Sequence, residues 1–584
     1  MSCDKLVFDL SQEVEGSPSV FVKKDWLNIL DNQNGNYNSN QSVIDTSQLS
    51  NSNKYLSYRE GYLAVPMLLT LASSDLTAST NFAPATAGTS ADYAIGLKNW
   101  FGQMVHSLTL DYNGTTTIQQ TPYCNMWNSF KLMTSFSWDD VYTQGATIGF
   151  YPDDPLAFSF IQNGTATLLG MGVCNNSTLG AFTATSGAFN DYNIGDGNDG
   201  FIKRQQYINF DADGVSGDGT YGTDLLSASG ASQIWKSYIS TKINGLTGTN
   251  QGVFQISIMA TIYLKHLHSF FESIPLLKGA YMKATLNLNN TTTKLTTTAS
   301  LTTLVSVSNA VGGVNPIMIA SRVAGNGGVA MGTGSYTANL SVGARCLEPS
   351  LTSVVGVAEG GVARSVYLYL PSYSFNPVFE SAYLSAPVKQ IKYTDIYQYQ
   401  VKGIQAQTGI INQLITNGIA NIKSILVIPF FSDSQIVSAR GTQGWNGLPT
   451  GIPTYQSPFD PAGCGATSPM VQLTNFNVVV SGQNAIYNTQ RYSFEEFNNQ
   501  LYGVNAVNGG MTAGLTSGLF DRLGFDMEYG YYYVDLSRML PVEESVPKSI
   551  QLIGQNLSQT NIDLFCFVEY GVNISIDVLT GVRV

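Results

Sequence analysis

Between Gln251 and Asn289, Phe254, Ile256 and Ile258 alternate with Gln255, Ser257 and Met259, the two-residue period of a half-buried strand. Ala284 to Asn289 alternates in the same way. Between these runs, Glu272-Ser273-Ile274-Pro275 turns the chain, because proline brings no amide hydrogen and pushes its predecessor towards extended geometry. A strand, a corner and a strand are expected. The corner is echoed by Glu544-Ser545-Val546-Pro547, which precedes the strand-like Ser549 to Ile553. Tyr62-Leu63-Ala64-Val65-Pro66 is echoed by Tyr367-Leu368-Tyr369-Leu370-Pro371. Two echoes in the same order predict a chain of two related halves.

Elsewhere the pattern is mostly of period two. Ser107 to Tyr112 ends on Asn113-Gly114, a strong hairpin signal. Leu97, Trp100, Phe101, Met104 and Val105 fall at helical spacing and predict a short helix within Asp92 to Val105. A helical spacing also marks Ile410 to Ile422, and Ser493-Phe-Glu-Glu496 before Phe497 predicts a capped helix. Short strands among long Gly-, Asn- and Asp-rich loops fit an all-β, mainly antiparallel chain of two tandem sandwiches with a few short helices. The jelly roll, with eight strands, best tolerates such loops. The expected divisions are an N-terminal arm with one strand (1–54), a first jelly roll (55–290), a connection (291–335) and a second jelly roll (336–584). The arm, rich in Asn, Ser and Gln, has few core-forming residues and is expected to borrow order from its neighbours.

Composition narrows the function. Only 12% of the 584 residues are charged, about half the usual share, so the surface is wetted by amides and hydroxyls. Such groups cost less to desolvate than ions, which suits subunit contact. The net charge is −12 and no basic run exceeds a pair such as Lys23-Lys24, so the clustered phosphate neutralisation of nucleic-acid binding is missing. The six cysteines (3, 124, 174, 346, 464 and 566) include no C-x-x-C pair, and reduced thiols are expected. Met1-Ser-Cys-Asp-Lys-Leu6 does not read as a secretory leader. The apolar runs Leu63 to Ala72 and Ile425 to Phe431 are too short for a membrane span.

Motifs with chemical potential are few. Gly195 to Gly200 and Gly217 to Gly222 both match G-x-G-x-x-G, but a phosphate-cradling turn must open a helix, and Gly200 leads into the strand-like Phe201 to Phe210. Asp191, Asp196, Asp199, Asp211, Asp213 and Asp218 could gather a calcium ion, though not at helix-loop-helix spacing; solvated turn carboxylates are the default. His266 and His268 could be metal ligands at alternate positions of a strand, or packed side chains; His106 is the third histidine. Asp139-Asp140, Asp153-Asp154 and Glu495-Glu496 are the adjacent carboxylates that hydrolysis could use, and neighbouring carboxylates are usually surface. No catalytic, cofactor-binding or metal site is assigned, and no enzyme activity or cofactor is expected.

Four stretches carry a resemblance: Trp26 to Gly35 with its continuation to Leu69, Phe130 to Trp138, Ile262 to Gly279, and Tyr532 to Gly581. They resemble the double jelly-roll major capsid proteins of virophages and polinton-like viruses. The resemblance implies a homotrimer of six jelly rolls, forming a pseudo-hexameric capsomer that tiles an icosahedral shell around double-stranded DNA. It implies penton and minor or cement proteins as partners, location in the virion, and no direct sequence-specific contact with nucleic acid. The rival expectation is a glycan-binding fibre or adhesin of two β-sandwiches, with Trp445 and Tyr455 as stacking residues.

Overall fold

The structure, a computed structural model, describes residues 19–49, 53–73, 91–153, 158–160, 170–174, 200, 204, 206–210, 253–297, 302–321, 334–343, 365–433, 452–458, 462–463, 471–487, 492–502, 518–522, 525, 529–537, 543–558 and 560–584. Sixteen strands carry the architecture. The first eight are β1 (Phe21–Leu30), β2 (Gln41–Asp45), β3 (Tyr62–Ser73), β4 (Val105–Tyr112), β5 (Thr115–Ile118), β6 (Val253–Tyr263), β7 (Met282–Leu288) and β8 (Tyr367–Phe375). They pair, all antiparallel, as β1-β8-β3-β6 in one sheet and β2-β7-β4-β5 in the other.

The second eight are β9 (Val388–Ile404), β10 (Ile410–Ile419), β11 (Ile422–Phe431), β12 (Leu473–Val480), β13 (Gln483–Asn484), β14 (Tyr532–Asp535), β15 (Lys548–Asn556) and β16 (Ile562–Asp577). Their order is β9-β16-β11-β14 against β10-β15-β12-β13. In both halves, strands one, eight, three and six face strands two, seven, four and five, the two-Greek-key connectivity of a jelly roll. The fold is a double jelly roll.

Insertions enlarge the first roll. Between β7 and β8, Gly334–Val342 pairs with the far end of β3 and leads through Thr291–Thr297 to Thr302–Asn309. A separate sheet joins Gln206–Phe210, Ala91–Leu97 and Ile317–Ser321.

This topology corrects several expectations. β8 pairs with β1 and β3, so the first roll continues to Phe375. The joint therefore falls at the helix Pro377–Leu384, not within 291–335, and residues 336 to 375 do not belong to the second roll. A jelly roll's last strand returns beside its first, and a long insertion hid that return from a linear reading. Tyr62–Pro66 and Tyr367–Pro371 lie in β3 and β8 of one roll, with Leu63 opposite Leu368, so their likeness reflects paired positions and not duplicated ones. The other echo occupies equivalent places, because Pro275 and Pro547 both lie in the connection from the sixth strand to the seventh.

The segment 21–45 is part of the first roll as well: β1 and β2 are its first two strands, and Ile29, Tyr37 and Ile44 are buried. Its polar residues build the turn between them, where Ser42 Oγ donates to Asp31 Oδ2 at 3.0 Å. The helix expected in 92–105 is a strand followed by one 3-10 turn, Phe101–Met104, because Ala91–Leu97 is paired along both edges. Ile410–Ile419 is a strand too. Ile411, Ile415 and Ile419 lie four apart, a spacing that a helix and a strand both satisfy.

Other expectations held. Asn113 and Gly114 take φ of 47° and 78° between β4 and β5, the double positive φ that a two-residue hairpin turn requires. The helix Phe494–Leu501 opens with Ser493 accepting from the Glu496 amide.

Candidate functional site: the junction of the rolls and an uncharged sheet face

The two rolls share one buried core. At its centre is α1 (Cys124–Ser135), in the connection from β5 to β6, with ten residues buried: Cys124 to Phe130 and Leu132 to Thr134. A helix apolar on most sides belongs in an interior. Towards its own roll, α1 presents Asn125 and Ser129, which bond Gln103 at 3.0 and 2.6 Å. Towards the second roll it presents Trp127 and Phe130, 6.3 Å from Phe567 and 5.7 Å from Tyr533 between ring centroids. Tyr123, just before α1, meets Phe565 at 4.9 Å.

Register places Phe565 beside Ile428, and Phe567 beside Leu426, which faces Tyr533. At its centre the outer face of β9-β16-β11-β14 is thus apolar and covered by the first roll, with Ser424 and buried Glu569 next in the same alternation, while its inner face packs on the roll's own second sheet, as where Tyr532 meets Phe476 at 4.7 Å. Burial on both faces is why Ile425 to Phe431 and Leu564 to Val568 read as apolar runs.

Polar contacts fix the rotation of one roll on the other. His268 Nε2 lies 3.3 Å from Asp395 Oδ1, and the Tyr570 hydroxyl donates to Asp395 Oδ2 at 3.2 Å. Ser269 Oγ donates to the Thr394 carbonyl at 2.6 Å, Thr121 Oγ1 to that of Ile396 at 2.8 Å, and the Tyr393 hydroxyl to that of Thr117 at 2.7 Å. Burial, with Asp395 beside it, pushes the Tyr570 hydroxyl well above its ordinary value. A cavity of about 190 Å³ at this junction is lined by Lys131, Lys265, His266, His268 and Glu272 among others.

The outer face of β1-β8-β3-β6 differs in being open. Two register rows cross it, Asn28–Tyr369–Tyr62–Tyr263 and Leu30–Tyr367–Ala64–Thr261, flanked by Trp26–Pro371 and Pro66–Met259. None of these twelve residues is charged. Tyr62 stacks on Tyr369 at 5.1 Å and touches Trp26 and Tyr263, each at 5.7 Å. Trp26 and Met259 are 51% and 52% exposed. Charge returns only at the rim, where Lys24 is held by Glu60 at 2.7 Å and Lys265 lies over Tyr263.

No family model and no curated protein matches this chain. Three solved structures are similar across it. A chain of the Sputnik virophage matches over 98% of this chain and 90% of its own, at 12% identity and a TM-score of 0.44. The mavirus major capsid protein matches over 98% and 92%, at 7% identity and a TM-score of 0.42. The Faustovirus major capsid protein matches over 97% and 94%, at 10% identity and a TM-score of 0.40.

The residues weighed for chemistry have structural places. Asp140 closes a capping box with Ser137, whose hydrogen bonds hold its carboxyl below the usual carboxylate range. Asp153 accepts from the Asn99 amide at 2.8 Å and pairs with buried Arg204. Glu496 caps the helix Phe494–Leu501, and Glu495 pairs with Arg522 at 3.3 Å. His266 and His268 lie in and just after a short helix, Leu264–Leu267, and not on a strand, because Leu264 and Leu267 both turn into the core. Among the described residues, no group of three or more His, Cys, Asp or Glu could hold a metal ion, and no helix is long and apolar enough to cross a membrane.

Tyr455 is 4% exposed and packs on Phe430 and Phe565, so it is core and no stacking surface for a glycan. Trp445, Asp154, the six loop aspartates and most of both glycine motifs lie outside the described residues. The sequence reading missed α1. Its signal was present in Met126, Trp127, Phe130 and Met133 at helical spacing, followed by the capping pattern Ser137-Trp-Asp-Asp140.

Proposed function

We propose that this chain is a viral major capsid protein whose activity is self-assembly. Three copies would place six jelly rolls in a near-hexagonal capsomer, and capsomers would tile an icosahedral shell around double-stranded DNA. The observation that carries this reading is the pairing of two rolls of identical strand order through one shared buried core, with an uncharged face left open on one side. Large, neutral, aromatic surfaces suit permanent contact between subunits.

A net charge of −12 leaves contact with the genome to other, basic proteins. Penton and cement proteins would complete the shell, and the protein would reside in the virion. Sedimentation and negative-stain microscopy of the purified protein test this reading. Trimeric plates or shells are the expected result, and a monomer at every concentration would overturn it.

A further inference from the structure

The cavity at the junction of the rolls gathers like charges. Lys131 reaches it from α1 and Lys265 from the short helix Leu264–Leu267. Among the described residues, neither lysine meets a carboxylate within ion-pair distance. Both act on His266, which lines the same cavity: burial first, then the charges of Lys265 and Lys131, lower it to about 4. At neutral pH its imidazole is therefore uncharged and offers one N–H donor. Asn128, also in the lining and 4% exposed, has its Nδ2 buried with no hydrogen-bond partner among the described residues. A buried donor without an acceptor and two converging ammonium groups without a counter-ion are both unfavourable. The carboxylates on this side do not cancel them. Asp395 is held by His268 and Tyr570, and Glu569 by Ser424. Glu272 lines the cavity, but it is exposed and pairs with neither lysine.

We infer that this cavity binds a small tetrahedral oxyanion of the phosphate type, held by Lys131, Lys265 and the Asn128 amide. Its volume of about 190 Å³ takes such an ion together with water, one molecule of which fills about 30 Å³ of the liquid. A phosphate carried on a nucleic acid fits less well, because a polyanion needs a run of cations and this chain has a net charge of −12 and no basic run longer than a pair. The ion acts on the junction itself. α1 sets Trp127 and Phe130 against the second roll, and the turn after Lys265 sets His268 and Ser269 against Asp395 and Thr394. Repulsion between Lys131 and Lys265 pushes these two holds apart, and an anion between them draws both onto β9. The site stands independently of the assembly reading.

The test uses the full chain. Calorimetric titration with sodium phosphate, at neutral pH and constant ionic strength in chloride, is expected to show saturable binding. Lys131→Met and Lys265→Met combined keep the aliphatic stems and should weaken it by about tenfold or more. Glu272→Gln removes the opposing charge and should tighten it. Sulfate is expected to compete, and a short oligodeoxythymidylate is not. Phosphate should raise the unfolding temperature of the wild type and leave that of the double variant unchanged. In chloride alone the double variant should be at least as stable as the wild type, since the repulsion is gone. No binding by the folded wild type, or equal binding by the folded double variant, overturns the site. Competition by the oligonucleotide overturns its assignment to a free ion. Where the double variant is unfolded, Glu272→Gln decides, and an affinity equal to that of the wild type overturns the site.

Discussion

Phe130 of the first roll stacks on Tyr533 of the second, with ring centroids 5.7 Å apart and planes 24° from parallel. Both side chains are fully buried, so the ring of one roll is part of the core of the other. Phe130→Ala is expected to cost about 3–5 kcal/mol, the range for removing a buried phenylalanine. Because the rolls share one core, denaturant unfolding of the wild type should follow a single transition. The variant should split it in two as the rolls uncouple, which intrinsic fluorescence and circular dichroism would resolve.

The strand character of the chain was legible because most strands have one face in a core and one outside, as in Ile29, Leu63 and Leu368 set against Asn28, Tyr62 and Tyr369. What misled was spacing shared by two periods, as at Ile411 and Ile415, and pairing across long sequence distance, as between β1 and β8. The Pro275 and Pro547 corners showed the duplication correctly, since both enter a seventh strand. The uncharged face could not be read from the sequence, because it is assembled from four strands spread over residues 21 to 375 and exists only in register.

The N-terminal segment separates two outcomes. β1 supplies a full antiparallel partner for β8, from Phe21 opposite Phe375 to Leu30 opposite Tyr367, and Ile29 is in the core. Deleting residues 1 to 40 removes that strand, leaves the β8 edge bare and opens the core above Leu368. Insoluble or molten protein is expected, contrary to what a dispensable arm would give. Expression in the soluble fraction and near-ultraviolet circular dichroism check this.

Cys124 and Cys566 are buried at the junction and in β16, where burial pushes each thiol up to about 12. The thiolate is the reactive species, so both should resist alkylation at neutral pH in the native protein. Peptide mapping after iodoacetamide treatment is expected to find them unmodified until denaturant is added. Modification of either at native rates comparable with free cysteine would contradict the burial of α1 and β16 in the core.

Acid should loosen the protein through its histidines. Burial lowers His106 and His266 to about 4, with Lys265 and Lys131 adding to the effect at His266; the His106 Nδ1 is buried without a hydrogen-bond partner among the described residues. In the unfolded chain both titrate near the ordinary histidine value of about 6.5. Between those values the unfolded state binds more protons, so stability rises with pH: it is complete above about pH 6.5 and is lost as pH falls towards about 4. The loss amounts to roughly 3 kcal/mol at His106, and less at His266, which is partly exposed. Urea unfolding across this window should show the slope, and His106→Phe should reduce it by about one proton. An unchanged slope would mean that His106 already carries its proton in the folded protein.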